Sequence, residues 1–325
     1  MYITSKHVGY MFTTITSKPG RAAVSRPPII ASWVLMDMWH HLDTPDQDHQ
    51  IGALQHKIYP SHSYHSMSLE LYHTTHNAGQ TTVVLIHGAL VSGLYWDLVI
   101  PHLPKSYHLL VPDLPGHGKS QSTPFSIDLA SHMIAQLIRA HAITGSAHII
   151  GHSLGAQVAI RLASTDPDVV NSIFISGFGM FPRTSITPYI PYAAWAMSRV
   201  ENCLARPLIS WAMDGADIPH IDTDLCTLDL CRQIVAPEEP TEWPVPWPAR
   251  TLIVAAGKGG LIPTKDSSRD AVKLVEIGRE LNDETVAYTH LGMRHPWNRQ
   301  APRLFAETAE AWFERMELPG GFVKL

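Results

Sequence analysis

Ser153 stands in the pentapeptide Gly151-His152-Ser153-Leu154-Gly155, entered from the apolar run Ala147 to Ile150 and left through the helix-forming run Ala156 to Ala163. A serine on a sharp strand-to-helix turn presents its hydroxyl, and such a turn demands nearly side-chain-free neighbours like Gly151 and Gly155. A helix beginning at Leu154 would also direct free N–H groups at the reacting centre. The chemistry implied is nucleophilic attack on a carbonyl, for which a hydroxyl needs a base. His295 is the preferred base, because it lies in a loop beyond a strand, after Leu291-Gly292-Met293-Arg294, and precedes Pro296-Trp297 and an amphipathic helix. His290 adjoins the strand itself and reads as structural. Acyl transfer also needs amides aimed at the developing oxyanion. His87-Gly88-Ala89-Leu90 follows a strand, and the N–H groups of Ala89 and Leu154 form the natural pair.

The elements that must position these groups alternate from about residue 55 onward. Strands are predicted at Ser68 to Tyr72, Thr82 to His87, Tyr107 to Pro112, Ala147 to Ile150 and Ser172 to Ser176. Helices are predicted at Leu94 to Leu103, at Ser126 to Ala142 with Ser126 as N-cap, and after Ser153. Residues 178–246 break the rhythm: they hold all three cysteines, many prolines and no strand pattern. Alternation resumes with a strand at Arg250 to Ala256, a helix at Asp266 to Leu281, a strand at Glu284 to Thr289 and a helix at Ala301 to Met316. Buried Val/Ile/Leu-rich strands alternating with helices imply a parallel sheet covered on both faces. The organisation expected is an N-terminal extension over 1–54, partly disordered or helical, a core formed by 55–177 with 247–325, and a helical lid over 178–246. The lid would sit over the carboxyl ends of the strands, where open α/β sheets bind ligands.

His87-Gly88, the run Asp113-Leu114-Pro115-Gly116-His117-Gly118-Lys119-Ser120, the pentapeptide around Ser153 and the late His295-Pro296 together resemble the α/β-hydrolase superfamily, in order and spacing, over about residues 65–317. The resemblance implies an α/β fold with an eight-stranded, mostly parallel sheet, helices on both faces and a lid inserted after strand six. It also implies hydrolysis of an ester or thioester without cofactor or metal. Asp113 and His117 match a turn that supports the sheet. The family usually carries an acid in the loop after strand seven, but here Gly260 occupies that place. Asp266 is the nearest substitute for the acid of a Ser153–His295 triad. Asp270 lies further along the same helix, and Asp214 or Asp217 could reach in from the lid. Nucleophiles of the dehalogenase and epoxide-hydrolase branches are normally aspartates, so Ser153 argues against those; the peroxidase branch stays open. So do an acyl transferase or cyclase on the same scaffold and a non-catalytic ligand-binding homologue. There is also a loose likeness to fungal hydrolases that release polyketide thioesters, which suggests secondary metabolism.

Lid aromatics (Trp195, Trp211, Trp243, Trp247, Tyr189, Tyr192) are expected either to form the lid's own core or to build an apolar slot. Leu90, Phe178, Met180 and Phe181 are the candidate contacts for a sizeable apolar acyl group. The substrate would be a small-molecule ester or thioester, or an acyl chain carried on a carrier protein.

Composition narrows the partners. Among 325 residues, 45% are hydrophobic and 16% charged, with a net charge of −5, which gives no reason to expect nucleic-acid binding. No run approaches the ~20 apolar residues of a membrane span. An odd set of cysteines (Cys203, Cys226, Cys231) reads as reduced, buried thiols of an intracellular, cytoplasmic protein. Histidine is frequent, at 20 residues, many of them between His40 and His76, and no ligand-type spacing organises them. They read as polar surface on an irregular segment. Residues 1–28 carry Lys6, Lys18, Arg21 and Arg26 and no acid, like an organelle-targeting leader, although Met36 or Met38 could also begin the chain. Val323-Lys324-Leu325 resembles a peroxisomal address with Val in its first place.

Overall fold

The computed structural model of the protein describes residues 70–180, 185–201, 203–218, 225–235, 244–259 and 264–325. The expected N-terminal extension, Phe181, Trp243 and Gly260 lie outside these residues. Among the described residues, eight strands form one sheet: β1 (His73–His76), β2 (Thr81–Ile86), β3 (Tyr107–Pro112), β4 (Ala147–His152), β5 (Val170–Ser176), β6 (Arg250–Ala256), β7 (Val286–His290) and β8 (Phe322–Lys324). Their spatial order is β1-β3-β2-β4-β5-β6-β7-β8. Only the edge strands β1 and β8 run antiparallel to their neighbours.

Alternate residues on each central strand face opposite layers. Val84 and Ile86 of β2 join one core with Ile149, Ile173 and Ile253. Val83 and Leu85 join another with Ile150, Phe174 and Leu252. Both faces are therefore apolar, and helices must cover both. On the first face lie α1 (Ile127–His141) and α2 (Leu154–Thr165). Ser126 caps α1, accepting a hydrogen bond from the Leu129 N–H at 3.1 Å.

Between β5 and β6 the described residues form three α-helices, α3 (Ile190–Glu201), α4 (Arg206–Ala212) and α5 (Leu228–Val235). The insertion thus follows the strand that ends at Ser176, the place expected for it. After β6 come α6 (Ser268–Arg279), then β7, α7 (Trp297–Gln300), α8 (Pro302–Phe313) and β8. No helix of the described residues is long and apolar enough to cross a membrane.

Four expectations are corrected. The helix expected at Leu94 to Leu103 is two short 3-10 turns, Gly93–Trp96 and Ile100–His102; Pro101 lacks the N–H that a continuous helix would need there. The first strand of the described residues is His73–His76, just beyond the expected stretch, where β-branched Thr74 and Thr75 favour extended backbone. That strand also places His73 and His76 on regular structure rather than on an irregular segment. β8 was not expected; it takes the residues of the address-like terminus, and Leu325 N–H bonds to the Ala287 carbonyl at 2.9 Å.

Candidate active site

The sheet order reverses at β2: the chain steps outward to β3 and then returns to place β4 on the other side of β2. Loops leaving β2 and β4 therefore diverge and open a crevice at their carboxyl ends. His87-Gly88 leaves β2 there, and Ser153 leaves β4.

Ser153 adopts φ 55° and ψ −118°, a conformation costly for a residue with a side chain, of order 1–3 kcal/mol. The surrounding backbone enforces it. Ser153 N–H donates to the Ser176 carbonyl at 2.8 Å, and its own carbonyl accepts from Ala156 N–H at 2.9 Å. At Gly155, a Cβ would collide with the Ile86 and His87 carbonyls, so only glycine lets α2 start this close to β2. Although Ser153 is the N-cap of α2, its hydroxyl makes no capping bond and stays available for chemistry. Leu154, first residue of α2, has an N–H without an intrahelical acceptor.

Ala89 lies within the same crevice, since a Cβ on Gly88 would come within 3.3 Å of the Ser153 Cβ. His87 explains the orientation of this loop. Its Nδ1–H donates to the Gly88 carbonyl at 2.7 Å, and its Nε2 accepts from Leu114 N–H at 2.9 Å. In a trans peptide the N–H opposes the C=O, so pinning the Gly88 oxygen turns the Ala89 N–H the other way. Burial lowers the His87 pKa to about 4, against the opposing bond to Gly88. Burial, then the neighbouring His87, lowers that of His117 to about 3. Both rings are neutral in the folded protein, while in the unfolded chain each has the ordinary value of 6.5. Below pH 6.5 the unfolded state therefore binds more protons. Stability is fully present above that value and is lost as pH falls through about 4 and then about 3. The expected loss is several kcal/mol. Urea midpoints measured from pH 7 to pH 4 should fall steadily; a flat profile would contradict the assignment.

His295 and Asp266 are both 2% exposed. Nδ1 of His295 lies 2.6 Å from Oδ1 of Asp266. The other carboxylate oxygen accepts from Ala256 N–H at 2.7 Å, and Asp266 N–H donates to the Ala256 carbonyl at 2.9 Å. Asp266 is thus tied to the end of β6, two residues before α6, instead of being a first-turn helical residue. An acceptor-only carboxylate on Nδ1 selects the tautomer that leaves the lone pair on Nε2. His295 N–H donates to the Thr264 carbonyl at 2.9 Å, which fixes the loop.

The histidine loop and the serine turn are joined by contacts that sequence reasoning missed. His152 donates from Nε2 to the His295 carbonyl at 2.9 Å, and the two rings lie 4.7 Å apart between centroids. Burial, then proximity to His295, holds the His152 pKa well below the ordinary histidine value, so it acts as a neutral spacer. Gly177 follows Ser176, whose carbonyl holds Ser153. It has φ 71°, and a Cβ there would strike the His295 ring. Gly177→Ala is expected to cost about 1–2 kcal/mol from its backbone alone and to displace His295, lowering kcat by about a hundredfold. Steady-state kinetics beside a urea melt would separate the two effects; unchanged kcat would refute this placement of Gly177.

The other acids considered from the sequence are engaged elsewhere. Asp214 pairs with Lys258 at 2.9 Å and with Arg294, and these cations, Lys258 first, hold its carboxyl below the usual range. Asp217 bonds Arg206 at 3.1 Å. Asp270, on α6, accepts from Met180 N–H at 2.9 Å. His290 ends β7 and accepts from Gly292 N–H at 3.2 Å. Asp113 accepts from the N–H groups of Gly93 at 2.7 Å and Lys119 at 2.8 Å, a brace beneath the β3 turn.

Leu90, Leu154 and Phe178 share one apolar cluster with Ile190 and Ala194 of α3 and Leu230 of α5, and Met180 packs against it. Helices α3 and α5 of the insertion therefore contribute to the same apolar cluster as the candidate acyl contacts. Tyr189 is 70% exposed, Trp211 76%, Tyr192 50% and Trp195 37%, whereas Trp247 is buried in the main core, bonded to Thr251. Among the described residues these exposed aromatics do not form a core of the insertion. Cys226 and Cys231 are buried free thiols, and Cys203, contrary to expectation, is exposed.

A profile of the Alpha/beta hydrolase family matches residues 83–312. The chain is similar to an "AB hydrolase superfamily protein" of Gibberella zeae, 35% identical over 255 residues, covering 78% of this chain and 86% of that protein. It is also similar to a pimeloyl-(acyl-carrier protein) methyl ester esterase of Proteus mirabilis, 34% identical over 104 residues, which span 32% of this chain and 39% of that one. Among solved structures, an alpha/beta hydrolase enzyme from a Medee basin deep-sea metagenome library superposes with a TM-score of 0.57 at 16% identity, over 77% of this chain and 96% of its own. The chain belongs to the alpha/beta hydrolase family.

Proposed function

We propose that the protein is a serine hydrolase that cleaves an ester or thioester with a sizeable apolar acyl group. The observation that carries this reading is the 2.6 Å bond between His295 and Asp266, both buried, with the His295 ring against His152, the residue before Ser153. His295 takes the Ser153 proton through Nε2 as the hydroxyl attacks the carbonyl. Asp266 holds the ring and stabilises the imidazolium that forms. The Ala89 and Leu154 amides hold the oxyanion. The leaving alcohol or thiol takes the proton from His295. Water, deprotonated by the same ring, then releases the acid and restores Ser153.

Leu90, Phe178 and Met180 supply apolar contact for the acyl chain; Phe181 is assigned with them from the sequence alone. The Proteus relative acts, by its name, on a methyl ester of a carrier-borne acyl group, which lends support to a carrier-protein substrate as one form of this chemistry. Two buried thiols outside any disulfide, Cys226 and Cys231, are in keeping with a reducing, intracellular compartment. The test is a panel of p-nitrophenyl esters and acyl thioesters of graded chain length. Rising kcat/KM with chain length supports the apolar acyl site, and turnover of none of them would count against the reading.

A further inference from the structure

At the β1 edge of the sheet, three side chains converge that the hydrolytic site does not use. Glu70 enters β1, His73 begins it, and His141 closes the last turn of α1. Nε2 of His141 lies 3.3 Å from Oε1 of Glu70. The rings of His73 and His141 approach to 4.7 Å between centroids. One ligand-type atom from each of the three lies within 4.8 Å of the other two.

Two imidazoles and a carboxylate are a donor set suited to zinc and its neighbours rather than to magnesium or calcium. At Zn–N and Zn–O lengths of about 2.0–2.2 Å, the edges of a tetrahedron measure about 3.3–3.6 Å. The His141–Glu70 separation already matches such an edge, and rotation of these partly exposed side chains closes the rest. His73 adds an independent sign. Its Nδ1 lies 3.2 Å from the Leu71 carbonyl, which can only accept, so the proton sits on Nδ1 and the lone pair on Nε2. A carbonyl on the far ring nitrogen is the usual support of a metal-bound histidine.

We propose that Glu70, His73 and His141 bind a divalent zinc-type cation, with water completing the tetrahedron. The ion would tie the chain entering β1 to the end of α1. It is structural, and it stands apart from the crevice between β2 and β4.

The test uses the full chain, stripped with a chelator and titrated with ZnCl2 by calorimetry, with Co²⁺ absorption as a second readout. The expected result is one tight ion per chain and a tetrahedral-type Co²⁺ spectrum. In His73→Ala/His141→Ala the affinity should drop at least tenfold and the spectrum should disappear, with ester turnover unchanged. Glu70→Gln, which removes only an exposed carboxylate, should also weaken binding at least tenfold, and it keeps the test decisive if the double variant does not fold. Wild-type affinity in these variants would place the ion on the upstream histidines, such as His56, His62 and His65, and overturn the proposal. Absence of a tight ion in the wild type would overturn it as well.

Discussion

Ser153→Ala is expected to lower kcat on a chromogenic ester by about six orders of magnitude, to the background of the assay. His295→Ala should do the same, and the double variant should be no worse than either single one. Nucleophile and base act as one unit, so removing the second group of an already disabled pair costs nothing further. Ser153→Ala should also fold at least as well as the parent. The hydroxyl serves no capping bond, and the strained turn is held by the Ser176 and Ala156 contacts of its backbone. Equal melting temperatures with turnover abolished would separate chemistry from folding. His295→Ala is less clean, because it leaves the buried Asp266 carboxylate without its partner, at a cost of about 3–5 kcal/mol. Its kinetics should therefore be read at a temperature where circular dichroism shows it folded.

Asp266→Asn is expected to lower kcat by about four orders of magnitude, while Asp270→Asn stays within a few-fold of the parent. The geometry gives the reason. In Asp266, one oxygen accepts from the Ala256 N–H and the other faces Nδ1 of His295. An asparagine must keep its oxygen on the Ala256 N–H, so its NH2 group meets the imidazole. The ring then turns to the wrong tautomer, with its proton on Nε2, and cannot take one from Ser153. Asp270 instead orients the Met180 backbone, so its loss should raise KM for long acyl chains more than it lowers kcat. A large kcat loss in Asp270→Asn with a small one in Asp266→Asn would reverse the assignment.

Much of the fold was legible because its signals are local. The central strands are continuous apolar runs, and β6 falls at the residues expected, Arg250–Ala256. Ser126 marked the start of α1. The edges were less legible: β1 is polar and β8 is three residues long, and both are strands only because a neighbour pairs with them. At the site, Ser153 and His295 carry spacing that a reader can recognise. Asp266 does not, because it lies six residues beyond the position where the carboxylate was expected. What brings it to His295 is its pairing with the end of β6, a tertiary fact. That pairing supplies a carboxylate for His295 where Gly260 leaves none, which supports the proposed catalytic reading over a non-catalytic one. His152 and Gly177 gave no signal either: their roles appear only when β4, β5 and the histidine loop stand side by side. The exposed lid aromatics show the opposite error, in which composition suggested burial that helix orientation does not provide.

The most direct measurement is covalent labelling with a fluorophosphonate, followed by peptide mass spectrometry. If a base activates the hydroxyl on the β4–α2 turn, one phosphonyl group should attach, on Ser153, at a rate that collapses in His295→Gln. An unlabelled protein, or a label on any other residue, would contradict the account.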